Sequence, residues 1–154
     1  MKKIELICIG NLKFKELKFF EEDFAKKLNF FVDFKIKNLK EVKLKNEDLL
    51  REKEGKMILE SLNMKDFVIA LDKYGKKMNS IGFARFLSDK ISFFPGRIVF
   101  LIGGFMGLSK ILDDRIDLKL SFSDMTFSHD IFRIVFLEQL YRVFTIIKGI
   151  KYHR

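Results

Sequence analysis

The chain has one cysteine, one proline, no tryptophan and two histidines among its 154 residues. Each shortage excludes something. The lone thiol, Cys8, forms no internal disulfide, and a four-cysteine zinc site is impossible. Two histidines and one cysteine argue against a metal enzyme, so none is expected. One proline and nine glycines exclude collagenous and linker-like chains. Long apolar runs are also missing. Residues 98–102 and 134–137 fall far short of the roughly 20 residues that a membrane-spanning helix needs. Glu5 breaks the apolar run behind Lys2 and Lys3. No signal peptide is therefore expected, and the protein is read as cytoplasmic.

What is present points to a folded domain. The composition is 48% hydrophobic and 33% charged, too apolar for a disordered chain. The length suits one domain spanning residues 1–154. Cys8 lies in the apolar run 4–9 and reads as a buried, inert thiol. The formal charge is +9, with +5 in residues 1–77 and +4 in residues 78–154. Lysine and arginine in such excess suit a nucleic-acid partner, since they displace counterions from phosphates. A Lys-biased composition, hinted at by 19 Phe, explains the same number without a partner.

Hydrophobic spacing divides the chain into alternating elements. Residues 3–9 read as a strand. Leu17, Phe20, Phe24 and Leu28 share one face of a helix over 13–28. Residues 30–37 form a second strand candidate. Asn46 is a suitable N-cap for a helix running to about residue 62. Residues 67–71 are a continuous apolar run, as in a strand buried on both faces. A turn-rich loop around Gly75 follows over 72–79, and Ser80 could cap a helix reaching about residue 90. Residues 98–102 repeat the buried-strand pattern, and Gly103-Gly104-Phe105-Met106-Gly107 follows as a glycine-rich loop. A short helix over 108–114, a strand over 117–120 and a Ser-rich loop over 121–128 come next. A last helix spans 129–148, stopped by Gly149. This order predicts an α/β layered domain with a mainly parallel sheet.

Open α/β sheets bind ligands beyond the carboxyl ends of their strands. That rule selects the loops after Leu71, after Ile102 and after Leu120. The glycine loop permits close ligand approach, or it is simply a tight turn before a helix. It is neither the dinucleotide fingerprint nor a P-loop. The Ser-rich loop could wrap a nucleoside edge with main-chain groups, or it caps the last helix through Thr126 or Ser128; both can hold. The last helix is apolar around nearly its whole circumference, which suggests burial at a subunit interface. Glu138 and Arg142 stand four apart and can pair. His129 and Arg133 lie on another face. The tail Lys151-Tyr152-His153-Arg154 is basic and terminal, and disorder alone would account for it.

Taken together, these segments resemble the ribosomal RNA large subunit methyltransferase H family, within the SPOUT class of knotted methyltransferases. The resemblance rests on Leu71-Asp72 with Gly75-Lys76 and Ser80; Ile102-Gly103-Gly104 with Gly107-Leu108; and Leu120-Ser121-Phe122-Ser123 with Met125-Thr126. His129, Arg133, Glu138-Gln139-Leu140-Tyr141-Arg142 and Tyr152-His153 continue it. Ile7, Ile9, Gly10, Leu12 and Lys13 extend it to the amino end. It implies a single SPOUT-type α/β domain whose carboxyl part, from about residue 66, is tied in a trefoil knot. It implies an S-adenosylmethionine-dependent homodimer that methylates N3 of a pseudouridine in helix 69 of 23S rRNA, on the ribosome.

By position, the resemblance places cofactor contacts on Leu71, Gly103, Phe122, Ser123, Asp124, Met125, Thr126 and Phe127. Candidate catalytic residues are His153, Glu138, Arg142 and His129, with the base unassigned. RNA contacts fall on Arg133, Lys151, Tyr152 and Arg154. Ser128 departs from the family's usual proline before the histidine, and Asp130 is also unusual; serine is still a good N-cap and an acid suits a helix start. The competing expectation is a non-catalytic, dimeric RNA- or ribosome-binding module of the same fold.

Overall fold

The computed structural model describes all 154 residues. Five strands and four α-helices alternate: β1 Lys3–Ile9, α1 Lys15–Leu28, β2 Asp33–Leu39, α2 Glu47–Ser61, β3 Phe67–Lys77, α3 Ser80–Phe93, β4 Ile98–Ile102, β5 Leu118–Ser121 and α4 His129–Ile147. A 3-10 helix, Lys110–Arg115, stands between β4 and β5. The strands form one sheet in the order β2-β1-β4-β3-β5, and every pairing is parallel. The α/β fold expected from the sequence is the fold observed.

The pleat explains the layers. Ile4, Leu6, Cys8, Ile69, Leu71, Ile98, Phe100 and Ile102 face one side and pack with residues of α1, α3 and α4. Ile7, Ile9, Val68, Val99 and Leu101 face the other side and meet Ile58 and Leu62 of α2 and Leu112 of the 3-10 helix. β4 is buried along its whole length, because it is central and covered on both faces. Each such side chain contributes about 2 kcal/mol by leaving water.

Several boundaries differ from the sequence reading. β3 does not end at Leu71. It pairs with β5 at Ile69–Leu71, bulges, and pairs again where Lys76 meets Leu120 and Lys77 meets Ser121. Gly75 makes this possible: a Cβ there would lie 2.5 Å from the Lys119 carbonyl carbon. The sequence reads this stretch as a turn-rich loop around Gly75; in the fold its lysines and Tyr74 face solvent. Asn46 caps α2 as expected, accepting from the N–H groups of Asp48 and Leu49 at 3.1 Å each. Asn79, rather than Ser80, caps α3 by accepting from Gly82 N–H at 2.8 Å. Ser128 occupies the N-cap of α4 without a side-chain hydrogen bond. Gly149 ends that helix with φ +66°.

Helix α4 is not buried all round within the chain. Phe136, Leu137, Leu140, Val143 and Phe144 are buried against the sheet, while Ile131 is 46% exposed and Ile134 and Val135 are half-buried. At the amino ends of the strands, Arg97 holds Asp66 at 2.6 Å and also pairs with Glu5. The carboxyl ends of β3, β4 and β5 lead into loops instead.

Candidate functional site

Three adjacent strands, β4, β3 and β5, end side by side, so their following segments share one edge of the sheet. The cavity there measures about 490 Å³. That size suits a small-molecule or cofactor site. Leu71, Ile102, Leu120, Phe122, Phe127 and Phe132 give it apolar walls. The glycine loop forms another side, and Lys73 and Tyr74 of the β3 extension stand at the rim.

The loops are shaped locally. Gly107 has φ +78°, a left-handed conformation that a glycine adopts without strain. Its N–H donates to Gly104 O at 2.9 Å, closing the glycine loop. A Cβ on Gly103 would lie 2.8 Å from the Gly107 carbonyl carbon. Glycine at 103 is therefore required by loop closure. In the Ser-rich loop, Ser121 Oγ donates to Ser123 O at 3.2 Å, and Ser123 Oγ accepts from Met125 N–H at 2.9 Å. Such bonds fold a short loop onto itself. Lys73 Nζ donates to Thr126 Oγ1 at 3.3 Å, and Lys77 Nζ meets Asp124 Oδ2 at 2.5 Å. The extended β3 thus ties down the loop opposite it.

Of the residues assigned to the cofactor from the resemblance, Leu71, Gly103, Phe122, Ser123, Met125, Thr126 and Phe127 line this cavity. Asp124 does not; it turns outward to Lys77. His129, the first residue of α4, also lines it.

The other candidates gather elsewhere on α4. Arg142 Nη2 donates to Glu138 Oε1 at 2.5 Å, and Tyr152 Oη donates to the same oxygen at 3.1 Å. Glu138 Oε2 accepts from Gln139 Nε2 at 2.9 Å. Arg142 Nη1 lies 3.3 Å from His153 Nδ1, and its guanidinium carbon is 4.9 Å from the centre of the Tyr152 ring. Tyr141 meets Tyr152 edge-on at 5.0 Å. Glu138 holds the guanidinium of Arg142 above its ordinary pKa. Partial burial, then the hydrogen bond to Glu138, raises the Tyr152 phenol. The tail is therefore docked back on α4. Lys151 and Arg154 remain exposed. Nine residues of helix separate His129 from Glu138, about 14 Å along the axis. One chain holds the cavity and the tail cluster apart.

Arg133 is placed otherwise than its assignment to RNA contact implies. It is 2% exposed. Its guanidinium donates to Glu21 Oε2 at 3.2 Å, Asn38 Oδ1 at 2.9 Å and Gly10 O at 2.9 Å. A buried guanidinium engaged in this way is a strut joining α4 to α1, β2 and the end of β1, and it cannot meet a phosphate. Cys8 is buried as expected, with its thiol pKa pushed up to about 12 by burial. No group of three His, Cys, Asp or Glu side chains is placed to hold a metal ion.

Sequence reasoning missed several residues at this edge. Lys73 and Tyr74 lie within a loop already selected, yet only the bulge shows that they reach the rim. Phe132, on the apolar last helix, also lines the cavity. Glu54 of α2 is 5% exposed behind the glycine loop, and burial, then the neighbouring Glu41, raises its pKa. No sequence signal marks it, because an acid inside a charged helix looks like a solvated residue.

The family model described as "Predicted SPOUT methyltransferase" matches residues 1–153. Curated relatives named ribosomal RNA large subunit methyltransferase H match along the chain. The one from Christiangramia forsetii is 39% identical over 153 residues, covering 97% of this chain and 98% of that protein. The one from Flavobacterium johnsoniae is 40% identical over 153 residues, with the same coverage. The one from Caldicellulosiruptor saccharolyticus is 40% identical over 155 residues, covering 98% and 99%. Among solved structures, the SpoU methyltransferase AviRb from Streptomyces viridochromogenes, in complex with AdoMet, is similar with a TM-score of 0.45 and 9% identity, over 92% of this chain and 57% of that one. With a family match over residues 1–153 and relatives near 40% identity across nearly all of both chains, the chain belongs to the SPOUT methyltransferase family.

Proposed function

We propose that this protein is an S-adenosylmethionine-dependent rRNA methyltransferase, acting at N3 of a pseudouridine in helix 69 of 23S rRNA on the ribosome. The observation that carries the reading is the cavity at the ends of β3, β4 and β5, lined by seven of the eight residues assigned to the cofactor. The residues fit such a ligand. Leu71, Phe122, Phe127 and Phe132 offer apolar surface for a purine, and the loops after β4 and β5 offer main-chain groups for its polar edges. The names of the relatives support an rRNA substrate. The trefoil knot implied by the family is part of this proposal.

When bound, the cofactor supplies an activated methyl group on a sulfonium. The chain's own residues must then align the acceptor nitrogen and ease loss of its proton. The tail cluster suits the second task. Arg142 has only donors, so a neutral His153 accepts at Nδ1 and carries its proton on Nε2. Arg142 and that N–H make a positive field that stabilises charge on the oxygen beside N3. Glu138 already accepts at both oxygens. As a base it would have to give up a bond, as would His153; His129, at the cavity, is the third candidate. Tyr152 would stack on a base, and Lys151 and Arg154 would meet phosphates with a salt-dependent contribution.

The two clusters come together in a homodimer. The half-buried face of α4, with Ile131, Ile134 and Val135, supplies the apolar surface for a second copy. The tail of one protomer would then complete the cavity of its partner. Light scattering at low micromolar concentration should give about twice 18.3 kDa. The decisive experiment is methyl transfer from labelled cofactor to ribosomes and to naked rRNA, followed by mapping of the modified nucleotide. Label at N3 of a helix 69 pseudouridine supports the reading. Cofactor binding without transfer to any rRNA would leave a non-catalytic ribosome-binding module instead.

A further inference from the structure

Large apolar side chains that the fold leaves in water gather around the cavity. Tyr74 is 88% exposed, Phe105 65% and Met125 76%. Tyr74 belongs to the β3 extension, Phe105 to the glycine loop and Met125 to the Ser-rich loop, and all three line the cavity. Single exposed apolar residues are ordinary on a protein surface. Three around one opening, each from a different segment, mark a surface that something else covers.

Tyr74 is the one whose position is built. Leu71 and Lys76 both register on Leu120, so residues 72–75 bulge out of the ladder and carry the ring to the rim. The Tyr74 N–H donates to Asp72 Oδ1 at 2.9 Å, which turns the backbone locally. Behind the ring, Gly75 presses on the β5 backbone, where a Cβ would lie 2.5 Å from the Lys119 carbonyl carbon and 2.7 Å from Leu120 N. Lys73 and Lys77 reach across to Thr126 and Asp124. The backbone beneath the ring is therefore held on both flanks, while the ring itself stands in solvent.

The charge around the ring fits an unpaired nucleotide. Lys73 Nζ is 5.8 Å from the centre of the Tyr74 ring. Lys73, Lys76 and Lys77 are all exposed. The nearby acids are already engaged, Asp72 by the Tyr74 N–H and Asp124 by Lys77. An aromatic face beside ammonium groups offers a base a surface to stack on and offers its phosphates counter-charge.

We propose that Tyr74 is a substrate-binding residue: its ring stacks on an unpaired base of the rRNA at the mouth of the cavity, with Lys73 and Lys76 against the adjoining phosphates. The proposal rests on the rRNA methyltransferase reading given above and deepens it, by naming a surface that the acceptor strand meets.

The test compares Tyr74→Ala, Tyr74→Leu and Tyr74→Phe with wild type. Methyl transfer to ribosomes gives KM and kcat, calorimetry gives S-adenosylmethionine affinity, and light scattering and melting report assembly and folding. Tyr74→Ala should raise KM for ribosomes at least about fivefold, with kcat and cofactor affinity within about twofold of wild type. Tyr74→Phe, which keeps the ring, should restore KM to within about twofold; Tyr74→Leu, which keeps apolar bulk alone, should not. An unchanged KM in Tyr74→Ala overturns the proposal, as does full rescue by Tyr74→Leu or none by Tyr74→Phe. A loss confined to kcat, or an equal loss of cofactor affinity, assigns the ring to the reacting atoms or to the cofactor and also overturns it. So does a Tyr74→Ala chain that changes its oligomeric state or melts far lower, since the ring would then serve assembly or folding. A wild-type chain that methylates no rRNA removes the functional reading and this proposal together; wild-type transfer beside an unaffected Tyr74→Ala removes the proposal alone.

Discussion

The two ends of α4 are built from different materials. Its amino end enters a cavity built from strand ends and loop backbone, where apolar side chains and glycines set the shape. Its carboxyl end carries Glu138, Arg142, Tyr152 and His153, joined through side-chain hydrogen bonds near the surface. The first end is held by the sheet it packs on. The second is held by its own polar contacts and by the Tyr141–Tyr152 pair. Under the proposed function, ligand shape falls to the backbone-built end, and charge and proton handling to the tail.

The largest expected effect is at the first end. Gly103→Val should abolish cofactor binding in calorimetry and lower the melting temperature, because even a Cβ meets the Gly107 backbone at 2.8 Å. Overpacking of this kind costs about 1–3 kcal/mol in stability. Wild-type affinity in that variant would detach the glycine loop from the site and break the comparison.

Next is the buried strut between the ends. Arg133→Met should destabilise by about 3 kcal/mol in urea unfolding, since it leaves Glu21 and the Gly10 carbonyl without their donor. Ribosome affinity of the folded variant, and its salt dependence, should not change. A reduced salt slope would return Arg133 to the RNA surface.

A smaller effect is expected at the second end. Removal of residues 151–154 should leave folding and cofactor affinity nearly unchanged and slow methylation of ribosomes by at least about tenfold, equal to about 1.4 kcal/mol in the transition state. His153→Ala should lower turnover more than Lys151→Ala, which should mainly weaken ribosome binding. A full rate in the truncated chain would move the chemistry to Glu138 or His129.

Smallest is the surface tie across the cavity. Lys77 and Asp124 are 59% and 77% exposed, so Lys77→Ala should change stability by no more than about 0.5 kcal/mol. Its cofactor affinity by calorimetry should fall less than threefold, the Thr126 contact from Lys73 remaining.

The same contrast decides what the sequence could show. Buried strands announce themselves: residues 98–102 were assigned to their exact limits because β4 is apolar throughout. The strand-end rule then located the cavity before any side chain was placed. The β3 extension escaped because a solvent-facing lysine segment looks the same as a loop until its partner strand is known. Asn79 displaced Ser80 as the cap because both residues are competent and only the backbone angle chooses. Arg133 was misjudged because its acid, Glu21, lies 112 residues earlier in the chain. Glu54 was invisible for a related reason: its environment is made by Gly104, which no helical pattern connects to it.

The strand order carries one more consequence. β4 lies between β1 and β3, although it follows both in the chain. During synthesis, β1 and β3 must therefore wait with unpaired edges until residue 102 has been made, and α4 arrives later still to cover them. Pairing of this non-local kind makes for slow folding and leaves strand edges open to other chains meanwhile. The cavity at the ends of β3, β4 and β5 thus takes shape only when the carboxyl half has emerged, and the nascent amino half is the segment most in need of protection from aggregation.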